Sequence, residues 1–182
     1  PTSTPTCRGN EQPQPFFWPR FPITYRINSA GSQQDFPTDD GLIDPQLREA
    51  IVASFEAWNQ PDCSPFEFVE GELTEVDAFN ATDGVNLVVF QDEDWPYSSR
   101  SIALSSVSVR PDGEIVDVDL ELNEESFTFS DEPEGLAGTY DVRNTVTHEA
   151  GHVLGLDHTP IFDATMQYNA ASGQIKKRDL HP

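Results

Sequence analysis

Two periods of apolar residues run along this chain, and the switches between them mark its elements. In Ile23-Thr24-Tyr25-Arg26-Ile27 every second residue is apolar, the period of a strand with one buried face. From residue 44 the period becomes helical: Leu47, Ile51, Phe55 and Trp58 share a face with Ala50 beside them. Asp44 stands as N-cap, Pro45 at the first helical position, and Pro61 stops the run. Such a stripe predicts a helix packed on a sheet. Further strands are expected at residues 66–70, 85–90 and 102–109, between loops rich in Gly, Asp, Asn, Pro and Ser. Pro111-Asp112-Gly113 reads as a hairpin turn. After it Val116, Val118, Leu120 and Leu122 alternate with Asp117, Asp119 and Glu121, which predicts a strand whose acidic face is solvated. Asp141 is placed to cap a second helix through Val142 and Val146, with Gly155 as its breaker. Strands that first alternate with a helix and then run together predict an α+β fold, a mixed sheet backed by helices, without internal repeats.

Length and charge narrow this picture. The 182 residues suit one domain with a hydrophobic core. Residues 1–17 are expected to form an irregular Pro-containing arm, and residues 18–182 the domain proper. With 32 acidic against 10 basic side chains, the net charge of -22 argues against nucleic acid and anionic membranes as partners. The acid excess reads first as a solvated surface, with calcium binding as the alternative, and the two are compatible. The strongest apolar run, 85–90, is broken by Asn86, so no membrane insertion is expected. PTSTPTCRG, the first residues, hold neither an initiator Met nor an apolar signal core, which reads as a processed end of a secreted, extracellular protein. In that setting Cys7 and Cys63 form one disulfide across a long loop. The alternative is Cys7 as an inhibitory thiolate on a metal, with Cys63 left unpaired.

The chemistry concentrates in HEAGHVLGLDH at residues 148–158. His148 and His152 are four residues apart, so on a helix both imidazoles face one way and can reach one metal ion. Glu149 is rotated from them by about 100°, where it meets a zinc-bound water rather than the metal and serves as general base. Gly155 lets the chain leave the helix sharply enough for His158 to return as third ligand. Three neutral imidazoles leave zinc an open position, the arrangement of a catalytic ion.

HExxHxxGxxH followed by Ile161-Phe162-Asp163-Ala164-Thr165-Met166 resembles the metzincin zinc peptidases. Thr159 directly after the third His, with DGEIVDVDLELN at 112–123, is similar to the matrixin branch and to its secreted bacterial members. The resemblance implies a zincin-like fold: a twisted, mixed five-stranded sheet with one antiparallel edge strand, a backing helix and an active-site helix. A cleft would divide it into an upper part, about 18–155, and a short lower part, about 156–182. Met166, the only methionine, would form the Met-turn beneath the three histidines without ligating zinc. Residues Ile102, Ala103, Leu104 and Ser105 would be the edge against which a polypeptide substrate lies extended.

Two departures qualify the likeness. Vertebrate-type matrixins hold a second, structural zinc with further histidines, but after the motif only His181 remains. A further ion would then be calcium on oxygen, with Asp92, Glu93 and Asp94, or Asp112, Asp117 and Asp119, as candidate ligands lacking EF-hand spacing. Second, Gln167-Tyr168 replaces the usual Tyr-Pro, and Tyr168 takes the place of a tyrosine found in astacins and serralysins. It would act as a further zinc ligand and oxyanion stabiliser, or simply as a wall of the pocket for the residue after the scissile bond. The whole reading is a monomeric zinc endopeptidase that hydrolyses peptide bonds through water activated by Glu149. Its rival is a catalytically silent, zinc-stabilised peptide-binding module. No third long helix is expected after Met166.

Overall fold

The computed structural model describes residues 15–61 and 65–181. Cys7 and Cys63, and with them the expected disulfide, lie outside the described residues. Strand β1 (Ile23–Ile27) is followed by helix α1 (Pro45–Asn59), then β2 (Phe68–Glu70), β3 (Asn86–Gln91), β4 (Ala103–Val109) and β5 (Ile115–Asn123). A small parallel pair, β6 (Phe129–Ser130) and β7 (Tyr140–Asp141), leads into helix α2 (Val142–Val153). The five main strands lie in the order β2-β1-β3-β5-β4. All neighbours are parallel except β4, which runs antiparallel to β5 at the sheet edge.

The helices sit where their caps and stripes put them. Asp44 accepts from Gln46 N and Leu47 N to start α1, and Leu47, Ile51 and Phe55 of the predicted stripe are fully buried. Phe55 stacks on Tyr25 of β1 with ring centroids 3.7 Å apart. Burial of side chains this size stabilises by about 1.5–3 kcal/mol each, more than helix propensity supplies. Val146, Ala150 and Val153 of α2 join the same core with Leu120 and Leu122 of β5. Trp58 ties the helices together by donating to Thr147 O at 2.8 Å.

One expectation is overturned. The acidic face of β5 is not in water: Asp117, Asp119 and Glu121 are 1–2% exposed, whereas Val116 is 36% exposed. Loops without periodicity, together with the neighbouring strand β3, supply donors to this outer face. Asp119 accepts from Asn80 N and Leu87 N, Glu121 from the Tyr97 hydroxyl, and the adjoining Glu124 from Ser32 Oγ. Asp117 alone has no partner for either carboxylate oxygen among the described residues. Burial, with Asp119 and Asp83 nearby, pushes its carboxyl up to about 7.

Candidate metal centre and active site

Helix α2 is pinned at its start. Asp141 caps it by accepting from Asn144 N at 2.7 Å, and Arg178 grips the same carboxylate through Nε at 2.9 Å and through Nη2. The end of α2 is equally defined. Gly155 N–H bonds to His152 O at 2.8 Å and Leu156 N–H to Gly151 O at 3.0 Å, the paired bonds of a Schellman terminus. Gly155 has φ +88°, a conformation costly for any residue with a Cβ. This reversal brings His158 back over the helix. Beyond it, Thr159 N–H bonds to Met166 O at 3.0 Å, closing a loop that sets Met166 against α2. A Cβ on Gly151 would press on the Met166 sulfur and lie 2.8 Å from Trp58, so the glycine at that place is what lets this loop approach.

The three imidazoles converge. Nε2 of His158 lies 3.1 Å from Nε2 of His148 and 3.1 Å from Nε2 of His152. Tetrahedral zinc with bonds of about 2.0–2.1 Å separates its nitrogens by about 3.3 Å, so the spacing fits. The outward nitrogens fix the tautomers: His148 Nδ1 faces Thr165 O at 2.8 Å and His152 Nδ1 faces Leu156 O at 2.7 Å. With protons there, the Nε2 lone pairs of His148 and His152 point toward Nε2 of His158, the arrangement a shared cation satisfies. Burial, with Lys177 and the other imidazoles adding to it, lowers His148 to about 3, and burial also lowers His158. Both are therefore neutral, as ligation requires. Among the described residues these are the one group of three or more His, Cys, Asp or Glu side chains whose ligand atoms all lie within 4.8 Å of one another.

Glu149 is 7% exposed and accepts from Ser105 Oγ at 2.9 Å. Burial pushes its carboxyl up, against the pull of His152, the Ser105 hydroxyl and Lys177. The site opens into a cleft of about 580 Å³. Its upper lip is the edge strand, with Ile102, Ala103, Leu104 and Ser105 on it. Tyr168 lines the cleft too, 62% exposed, its ring 6.3 Å from that of His158. Below, Lys177 is 2% exposed and donates to Gln167 O.

Not every candidate gathers here. Asp92, Glu93, Asp94 and Asp112 are exposed on loops, while Asp117 and Asp119 lie on the outer face of β5. Residues 176–178 make only a short 3-10 turn, and no longer helix follows Met166 among the described residues. Sequence reading missed two participants. Ser105 was expected only to face substrate, yet it holds Glu149. Lys177 sits inside the run Lys176-Lys177-Arg178, which looks like solvated charge. Nothing in the run marks Lys177 out; the fold does, bringing its N–H to Asn144 Oδ1 at 2.9 Å.

Compared with known families, residues 17–182 match the model of the matrixin family. No curated protein matches the chain.

Proposed function

Since the chain belongs to the matrixin family, whose members are zinc peptidases, we propose that it is a secreted, monomeric endopeptidase that cuts polypeptides within its cleft. The observation that carries this reading is the convergence of three imidazole nitrogens beside a buried carboxylate oriented by Ser105. His148, His152 and His158 would hold zinc, which as a Lewis acid polarises the scissile carbonyl and makes water more acidic. The residues of the chain do the rest. Backbone groups of β4 pair with an extended peptide as one more strand. Glu149 takes the proton from the attacking water and later hands it to the departing amine. Ser105 fixes the carboxylate for both transfers, and Tyr168 donates a hydrogen bond to the developing oxyanion. The cleft separates an upper part, about 18–155, from a lower part, about 156–182. Calcium on oxygen is proposed for the carboxylates of Asp117 and Asp119 on the outer face of β5, Asp117 having no partner among the described residues; a rise in melting temperature on adding calcium at constant zinc tests it.

The catalytic assignment is tested by Glu149→Gln. The variant is expected to keep one zinc per chain and to lose hydrolysis of unfolded casein by a factor of about 10³ or more. Zinc retained in a wild-type protein that hydrolyses nothing would instead mark a peptide-binding module.

A further inference from the structure

Resting on the peptidase reading, we infer that the inner pocket of the cleft selects a glutamate side chain immediately after the scissile bond, with Lys177 as the specificity-determining cation. Lys177 lines the cleft together with Asn144 and Thr145, one helical turn before His148 on α2. Its ammonium is buried and has three protons to place. One goes to Gln167 O. Its other neighbour within hydrogen-bond distance among the described residues is His148 Nδ1 at 3.3 Å, which points its own N–H at Thr165 O and so has no lone pair to offer; the Glu149 carboxylate acts on it through space without a hydrogen bond. Thr145 is 6% exposed, and its hydroxyl has no partner among the described residues. Asn144 is already engaged, its Oδ1 accepting from Lys177 N.

The pocket therefore holds an under-used cation and an orphan hydroxyl donor, both taken out of water. Groups left in that state are costly, and an entering side chain that accepts from both removes the cost. A leucine would leave them unpaired. Sites built to hydrogen-bond a substrate group discriminate strongly against the analogue that lacks it, and a charge-assisted bond to carboxylate is stronger than one to carboxamide. The ranking expected is glutamate, then glutamine, then leucine. The net charge of -22 works against the Glu peptide relative to Gln and Leu at low salt, so the comparison is made at an ionic strength that screens this long-range repulsion and leaves the pocket to set the ranking.

The experiment compares three peptides that differ only in the residue after the scissile bond, Glu, Gln or Leu, with products identified by mass. The zinc-loaded protein is expected to favour Glu over Leu by about 10-fold or more in kcat/KM. Lys177→Met, with its melting temperature checked, is expected to reverse that order, and Thr145→Val to reduce the preference without reversing it. Binding to the Glu149→Gln protein, measured by calorimetry, reads the same ranking without turnover. A preference for Leu in the wild-type protein overturns the inference. So does a Lys177→Met effect that lowers all three peptides equally, the mark of a purely structural lysine. Casein cleavage without glutamate at the new N-termini overturns the pocket assignment while leaving the peptidase reading intact. Absence of any hydrolysis by the zinc-loaded protein sinks that reading first.

Discussion

Two sets of ionisable groups flank strand β5, one on each face of the sheet, and they are held in opposite ways. On the helix side, His148 and His152 each turn their outer nitrogen to a backbone carbonyl, and Glu149 is bound by Ser105. Partners there leave the Nε2 lone pairs of His148 and His152 free, and these converge with Nε2 of His158. On the outer side, Asp119 accepts from Asn80 in a loop and Leu87 of β3, Glu121 accepts from Tyr97, and Asp117 has no partner among the described residues. Burial alone therefore does not make a functional site. What separates the two faces is convergence: the histidines lie at metal-ligand spacing, whereas the carboxylates are spread along a strand and are served one at a time.

The contrast can be broken from the helix side first. Tyr168→Phe keeps the ring beside His158 and removes only the hydroxyl. Steady-state kinetics are expected to show kcat lower by a factor on the order of 10 to 10³ with a smaller change in KM. An unchanged kcat would leave Tyr168 as a wall. Ser105→Ala is milder. It frees the Glu149 carboxylate to turn without altering the zinc ligands, so kcat should fall by about 10-fold at unchanged zinc content. Loss of zinc in that variant would show that Ser105 supports the metal rather than the base.

The outer face is probed by Asp117→Asn in calcium-free buffer. Since the folded carboxyl titrates at about 7, above its ordinary value of 3.8, the folded chain keeps a proton that the unfolded chain releases in this window. Stability from this group thus falls as pH rises from about 4 to 7 and is flat above. The variant should be more stable than wild type at pH 8 by about 1–3 kcal/mol, a few degrees of melting temperature, with the gain shrinking toward pH 5. Equal melting temperatures at both pH values would mean that water or an ion already satisfies Asp117.

How far each face could be read in advance follows from the same physics. Helix α1 is local in its determinants: Asp44 caps it, Pro45 opens it, and Leu47, Ile51 and Phe55 recur at its own period. The histidine spacing of α2 is local as well, because a helix converts a four-residue interval into a shared face. β5 shows where this stops. Alternation of Val118 and Leu120 with Asp117 and Asp119 reveals two faces but not what covers the second one. That depends on Ser32, Asn80 and Tyr97, which are distant in sequence and sit in loops without a period. Lys177 is hidden for a related reason: its neighbours Lys176 and Arg178 reach other partners, Phe162 O and Asp141, and nothing in a basic triplet says which member turns inward.

The most direct test of the account is a zinc titration of metal-free protein followed at once by metal analysis and casein hydrolysis. Activity is expected to rise from none to its maximum as one equivalent of zinc binds, and His152→Ala should show neither tight binding nor activity. Full hydrolysis by the metal-free protein, or by His152→Ala, would contradict the claim that these three histidines and one zinc ion make the active site.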